Sequence, residues 1–374
     1  MNQDGQRLVL CTALLLAVGL AVLFSASFHD GGGDPFYFLL RQGAGVVLGG
    51  ALFAVALCVD PRRLLGLAPW LLGGLVLLLA WVWLAGVEVK GSSRWLRVGP
   101  LRFQPSELAK VIIPFAVAWL ADRVHSGRWT ASRPLIWCGA LGVLGTIAGL
   151  IALEPDYGTG LFVLAVGGIL LLIAGMPFRY PLIAAVPLAP VMVAFLQWRG
   201  DVVAKRLVGL LDPMESYQVR HSLTAIGSGG LWGKGFGLGW EKANYLPEHF
   251  NDFIFAAYAE ETGFVGVLVL MTLYSAFLWA GWGIARRCLD FPMQILAAGL
   301  VGSVVFQAAI NIAVATASAP TKGIALPFLS HGSSGLTVLL LSIGIVLSIS
   351  KNVPSREPAP EADAEDAPIS EAIA

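Results

Sequence analysis

The residues best placed to do chemistry lie at 244–263, NYLPEHFNDFIFAAYAEETG, where a long polar segment meets an apolar run. Asp252 stands at that junction, followed by Phe253, Ile254 and Phe255. A carboxylate at the mouth of a membrane helix stays charged only where water, a cation or a hydrogen-bond donor reaches it. Asp is also a common helix N-cap, and the two roles are compatible. Glu260 and Glu261 follow two turns into the helix, where one of them can face the same cavity.

A second set lies at 87–110, VEVKGSSRWLRVGPLRFQPSELAK, where Lys90, Arg94, Arg97 and Arg102 are interleaved with Trp95 and Phe103. Cations beside aromatics at an interface suit a phosphate or an anionic lipid head group. Snorkelling arginines of an ordinary interfacial belt give the same spacing. Glu107 and Lys110 are spaced i, i+3 on one helix face and predict an ion pair. A structural role for that pair and a catalytic one are both open. In EPDYGTG, 154–160, Pro155 and Gly158 predict a tight turn. Asp156 there either caps the next helix or holds a cation together with Glu154.

Residues 227–239, GSGGLWGKGFGLG, lack the Ser or Thr that a Walker A loop needs after its lysine. They read instead as a re-entrant or surface loop whose glycines permit close backbone approach, with Lys234 available to a phosphate. His221, His249 and His331 do not share metal-ligand spacing. Near the end, APTKGIALPFLSHGSSG carries Pro320, Pro327, Gly332 and Gly335. Irregular backbone at membrane depth is tolerated where it is buried in protein or lines a wet cavity. Ser330, His331, Ser333 and Ser334 supply donors there.

The elements that must position these groups are membrane helices. Of 374 residues 57% are apolar and only 13% charged, against ~25% charged in soluble domains. The mean hydropathy is +0.76. Spans of ~20 apolar residues occur at about 8–28, 37–58, 64–86, 98–120, 134–153, 158–175, 178–198, 256–282, 292–317 and 327–350. The expected fold is an all-α integral membrane protein of ten helices, membrane domain 1–351. A large extracytoplasmic loop, 199–251, joins helices seven and eight. No cleavable signal peptide is evident, because the first run lacks a small-residue cleavage site.

Positive residues set the orientation. With the N-terminus inside, the inner loops carry Arg7, Arg62, Arg63, Arg123, Arg128, Arg133, Arg179, Arg286, Arg287, Lys351 and Arg356. The short outer loops carry Lys90, Arg94, Arg97, Arg102 and Lys322. Both termini are therefore expected in the cytoplasm, and the acidic tail 352–374 is expected to be disordered there. Zero net charge argues against nucleic acid as a partner. Cys11, Cys58, Cys138 and Cys288 form no CxxC pair and no metal spacing and read as buried thiols.

Four segments, KGSSRWLRVGPLRFQPSELAK, EPDYGTG, SLTAIGSGGLWGKGFGLG with YLPEHFNDFIFAAYAEETGFVG, and PTKGIALPFLSHGSSG, resemble in order and spacing the SEDS family of bacterial cell-wall synthesis, the FtsW, RodA and SpoVE proteins. The resemblance spans nearly all ten helices. DPFYFLLRQ, Ser25 to Ser27 and PTKGIALPF look more like FtsW and SpoVE, whereas GSGGLWGKG looks more like RodA. Two departures stand out. The family's SYGG is here Ser330-His331-Gly332-Ser333, and its His-Thr before the key aspartate is here Phe250-Asn251.

The resemblance implies a peptidoglycan glycosyltransferase of the bacterial inner membrane that polymerises lipid II in cell division or elongation. It places the catalytic aspartate at Asp252. The substrate's pyrophosphate then falls to Arg94, Arg102 and Lys234, with Glu154, Asp156, Ser330 and Ser333 as further substrate-binding groups. Glu107–Lys110 is expected as a structural ion pair. No cofactor is fixed by the sequence; a divalent cation (Mg or Mn) is the candidate beside the pyrophosphate. The implied partner is a class B penicillin-binding protein, the transpeptidase. Two rivals remain, a lipid II flippase and a non-catalytic scaffold for that partner. Buried charges and broken helices suit a transporter, but the sequence shows no inverted repeat.

Overall fold

A computed structural model describes residues 2–30, 36–89, 92–98, 101–129, 132–186, 193, 212, 214–246, 250–321 and 323–351. The tail 352–374, most of the expected 178–198 span, and Lys90, His249 and Lys322 lie outside the described residues. The helices are α1 (Gln3–Asp30), α2 (Tyr37–Cys58), α3 (Pro61–Leu64), α4 (Ala68–Ala85), α5 (Pro105–His125), α6 (Arg133–Leu153), α7 (Tyr157–Ile173), α8 (Tyr217–Ser228), α9 (Trp240–Asn244), α10 (Ile254–Arg287), α11 (Phe291–Ala315) and α12 (Ser333–Lys351). A single 3-10 turn, Leu65–Leu67, joins α3 to α4.

Seven helical segments among the described residues are long and apolar enough to cross a membrane: α1, α2, α3 with α4, α6, α10, α11 and α12. Helix α7 is as apolar but shorter, at 17 residues. Helix α5 has spanning length, 21 residues, but carries Glu107, Lys110, Asp122 and Arg123. Residues 179–186 are helical at the start of the expected seventh span. Of the four thiols expected to be buried, Cys11 and Cys288 are, whereas Cys58 at the end of α2 and Cys138 on α6 are exposed on the outside of their apolar helices.

Two expected spans begin later than their apolar runs. Before α5 the chain forms a three-stranded antiparallel sheet, β1 (Val87–Val89), β2 (Ser92–Val98) and β3 (Leu101–Phe103). The wholly helical expectation therefore gains a small sheet. Its register sets Leu96 opposite Phe103 and Arg97 opposite Arg102. Helix α5 starts at Pro105, after the extended Gln104, because a proline suits the first helical turn and disfavours helical geometry in the residue before it. Before α12, residues 323–332 are non-helical, with Phe328 at φ 70°. Pro327 cannot donate the backbone bond that a helix would need there.

Polar contacts tie the elements together at one end of the bundle. Asp4 of α1 meets Arg287 at the close of α10 at 2.7 Å. Arg62 of α3 meets Asp122 near the end of α5 at 2.8 Å and Asp290 before α11 at 3.1 Å. Lys351 Nζ donates to the Leu57 carbonyl at the close of α2, at 2.6 Å. The start of α1 and the end of α12 therefore share one end of the bundle, the terminal end. The sheet, α8, α9 and the stretch before α10 lie at the other.

Helices α2 and α12 pack through small residues. A Cβ on Gly45 would lie 2.7 Å from the Ser333 backbone, and one on Gly49 would lie 2.8 Å from Leu340. Small residues of this kind let membrane helices approach closely. The Thr337 hydroxyl then reaches the Gly45 carbonyl at 3.3 Å. This contact carries the 323–332 segment against the start of α2.

Candidate active site

Asp252 lies one residue before the N-cap of α10, which is Phe253 and makes no side-chain cap bond. The capping position weighed for Asp252 thus falls on its neighbour. The backbone around Asp252 is fixed from two directions. From α11, Asn311 Nδ2 donates to the Asp252 carbonyl at 2.9 Å and to the Ile324 carbonyl at 2.8 Å. One turn away, Gln307 Nε2 donates to the Ala325 carbonyl at 2.7 Å. From the last loop, Ser330 Oγ donates to the Asn251 carbonyl at 2.6 Å and accepts from the Leu326 N–H at 2.7 Å. A methyl group on Gly323 would sit 3.5 Å from Asp252 Oδ2, so the carboxylate faces that loop.

The start of α2 closes this region. Gln42 donates to the Ser330 carbonyl at 3.3 Å and accepts from the Gly332 N–H at 2.9 Å. Phe38 stacks on Phe250 at 4.6 Å and meets the His331 ring at 5.2 Å. The Arg41 guanidinium lies 4.2 Å over the Tyr37 ring. Burial, followed by the charge of Arg41, pushes His331 down to about 4, so its ring is neutral at neutral pH. Where the family's usual residue would offer a hydroxyl, this chain offers a neutral imidazole.

A second cluster joins the sheet to the α6–α7 turn. Asp156 caps α7 as expected, accepting the Thr159 N–H at 3.2 Å. It also accepts Gln104 Nε2 at 3.0 Å and pairs with Arg94 at 3.4 Å. Glu154 is buried beside it, and both its carboxyl oxygens lack a hydrogen-bond partner. Burial pushes Glu154 up to about 8, the Asp156 charge adds to this, and Arg94 opposes it. Arg102 is exposed on β3, opposite Arg97, so the hairpin holds two cations side by side.

The Gln104 N–H reaches Ser334 Oγ at 3.2 Å, tying this cluster to the start of α12, where Ser333 is half-buried. The expected Glu107–Lys110 pair forms at 2.7 Å. Asp156 therefore holds three partners, while Glu154 beside it favours its neutral form. Among the described residues no group of three His, Cys, Asp or Glu side chains could hold a metal.

The glycine-rich loop does come close to other backbone. A Cβ on Gly233 would lie 2.1 Å from the Glu261 carbonyl. Helix α10 breaks at Gly263, with φ 66° and ψ −167°, and the loop enters the break. The Phe264 N–H donates to the Gly230 carbonyl at 2.9 Å and the Val265 N–H to the Leu231 carbonyl at 3.1 Å. Lys234 Nζ pairs with Glu260 at 2.7 Å, and the same carboxylate accepts the first N–H groups of α9. Glu261 pairs with Lys242 and accepts the Ser25 hydroxyl and the Gly237 N–H.

Both glutamates therefore hold this loop in place, and both are buried. Lys234 and Ser330, expected at the substrate, have their polar groups engaged in these loop contacts. Arg41, Gln42, Gln104, Asn311, Ser25 and Lys242 were not among the site residues expected from the sequence. Arg41 carried a usable signal, because a cation inside an apolar run is uncommon and usually functional.

Fold and site together define a polytopic membrane protein whose polar groups gather at one end of a helical bundle, around an aspartate and an arginine-bearing hairpin. The chain belongs to the cell cycle protein family of FtsW, RodA and SpoVE, whose model matches residues 6–354. It is 36% identical to the "Probable peptidoglycan glycosyltransferase FtsW" of Thiomicrospira cyclica, across 92% of this chain and 91% of that one. The protein of the same name from Geobacter metallireducens is 34% identical across 92% and 93%.

Among solved structures, a chain of a peptidoglycan synthase complex described as coordinating polymerization and crosslinking superposes with a TM-score of 0.76. It shares 29% identity and covers 92% of this chain and 97% of its own. The rod shape determining protein RodA of Thermus thermophilus superposes at 0.68 with 31% identity, covering 92% and 96%.

Proposed function

We propose that this protein is a peptidoglycan glycosyltransferase that polymerises lipid II, with Asp252 as general base. The observation that carries the reading is the anchoring of Asp252 at the mouth of α10. Asn311 holds its own carbonyl, and Ser330 holds the carbonyl before it. A catalytic group needs such support from residues that are themselves fixed. In this reaction a sugar hydroxyl attacks the anomeric carbon of a second, lipid-linked sugar, and the pyrophosphate leaves. Asp252 takes the hydroxyl proton, a role typically worth ~10²–10⁴ in rate. Arg94 and Arg102, at the sheet, meet the negative charge that develops on the pyrophosphate. A divalent cation (Mg or Mn) would enter with the pyrophosphate, not as a resident cofactor, since Mg²⁺ commonly binds through substrate phosphates.

We orient the Asp252 end outward and both termini toward the cytoplasm, because the basic short-loop residues gather at the terminal end. In this orientation the lipid tail never leaves the bilayer during the reaction. A class B penicillin-binding protein crosslinks the product. Support for this comes from the likeness to the synthase complex.

The test is Asp252→Asn in the full-length protein with its partner, given labelled lipid II. The substitution keeps size and hydrogen-bonding reach and removes the base. We expect normal folding and a fall in polymer of about 10² or more. Polymer at the parental rate would defeat the assignment. Lipid II that crosses the bilayer without any polymer, in parent and variant alike, would favour the transporter.

A further inference from the structure

The bundle has a groove far from Asp252, walled by α4, α5, α6 and α7 and enclosing about 370 Å³. That volume is in the range of small-molecule sites. Its floor and walls are apolar, including Ala116, Gly139, Val143 and Ile147. It runs along α6 from Leu135 to Ile147. At 1.5 Å per residue this is about 18 Å, close to half the ~30 Å hydrocarbon thickness. The groove therefore matches the depth of one leaflet, which suits a glycerolipid tail better than a long polyprenyl chain.

Its mouth lies toward the terminal end and is lined by Trp119 and Trp129, whose rings meet edge-on at 5.4 Å. Tryptophans concentrate at head-group depth. Three arginines, Arg123, Arg128 and Arg133, lie near them along the chain. Arg123 lies 5.7 Å over the Trp119 ring, and its buried Nε has no hydrogen-bond partner. Arg133, the first residue of α6, is exposed. Neither forms an ion pair among the described residues. Arg128 is held by Asp122 at 3.3 Å, and that carboxylate is also held by Arg62.

We propose that this groove binds one anionic glycerophospholipid of the leaflet at the terminal end. One acyl chain lies against Gly139 and Ile147, and the phosphate meets Arg123 and Arg133. On the orientation given above this is the cytoplasmic leaflet, opposite the face where glycan would be made. The binding itself does not depend on that activity. It gives the protein a point at which cytoplasmic-leaflet composition is read by the helices that carry Glu107–Lys110 and the Asp156 turn.

The experiment uses the full-length protein, delipidated in detergent and titrated separately with phosphatidylglycerol and phosphatidylcholine. Bound lipid is read by native mass spectrometry. An arginine near an anionic head group is worth about fivefold in affinity. The parent should therefore prefer phosphatidylglycerol. Arg133→Gln should lose about fivefold for phosphatidylglycerol and less for phosphatidylcholine, whose choline offsets the same phosphate charge.

Gly139→Leu should abolish the strongest binding of both lipids by filling the groove. A Cβ there meets nothing within 4 Å, so the first carbon of the new side chain has room. Should that variant fail to fold, Arg133→Gln decides alone. Equal affinity of the parent for the two lipids would overturn the proposal. Parental affinity in folded Gly139→Leu, or parental preference in Arg133→Gln, would do the same. Displacement of phosphatidylglycerol by equimolar undecaprenyl phosphate would overturn the occupant and assign the groove to a prenyl chain.

Discussion

Replacing Lys242 with Met tests whether the glycine-rich loop is held by a charge pair. Lys242 and Glu261 are each 1% exposed at the side chain, so the pair has essentially no solvent screening. Removing one partner of such a pair typically costs 3–5 kcal/mol, because the other ion stays buried. Here Glu261 keeps two donors, the Ser25 hydroxyl and the Gly237 N–H. That places the loss at the low end, about 3 kcal/mol. At about 2 °C per kcal/mol, fitting a chain longer than most domains, the midpoint should fall by roughly 6 °C. Thermal unfolding in detergent, followed by tryptophan fluorescence, measures it.

The double variant Lys242→Met/Glu261→Met should recover most of the loss, since well-packed apolar replacements of buried pairs are often neutral. A Lys242→Met protein melting within about 1 °C of the parent would refute the reasoning. So would a double variant as unstable as the two single losses combined.

Glu107→Gln and Lys110→Met should each cost about 1–3 kcal/mol, less than for complete burial because the side chains are 16% and 13% exposed. The charge-swapped double variant should recover part of this in the same melts. Glu107→Gln that melts like the parent yet makes no polymer would move the pair into the catalytic set. Glu154 holds a proton in the folded state between its ordinary 4.5 and about 8, where the unfolded chain has lost it. Its contribution is complete below 4.5 and declines across that window. Glu154→Gln should therefore match the parent near pH 4.5 and melt higher at pH 8, and a gap that narrows with rising pH would reverse the sign argued here. For orientation, a cysteine at Trp232, which is 79% exposed, should react with an impermeant maleimide from outside intact cells once the native cysteines are replaced. Labelling only after permeabilisation would invert the topology.

The helices were legible because apolar runs of spanning length have few alternatives in a bilayer, and described helices coincide with nine of the ten runs. The start of α5 was not, because Val98 and Leu101 are apolar enough to extend the run while they pair in a sheet. The 327–332 stretch was drawn into the last run for the same reason: Phe328 and Leu329 are buried, but as coil, the bent backbone that Pro327 and Gly332 signalled. Asp252 and the Glu107–Lys110 spacing showed because intramembrane charge is costly and therefore conspicuous. Asn311 and Gln42 did not show, because an amide inside an apolar helix carries no charge and its backbone partners lie far away in sequence. Lys242 lay in a polar loop and gave no signal, and Glu261 was one of two glutamates read as able to face the cavity. Only the chain's return over Ser25 encloses them.

The break at Gly263 makes α10 a mended helix. Two of its amides are satisfied by carbonyls from Gly230 and Leu231, which lie earlier in the chain. A nascent polypeptide therefore has the splint in hand before the fracture it sets. The nine residues from Ile254 to Thr262, just after Asp252, are aligned with the rest of α10 through borrowed hydrogen bonds. One residue added to or removed from 229–235 would slide that splint past its two amides. The register of the Asp252 mouth would shift with it, although no catalytic side chain had been altered. The loop is accordingly a length gauge, and tolerance to insertion, usual for exposed connections, should end abruptly there.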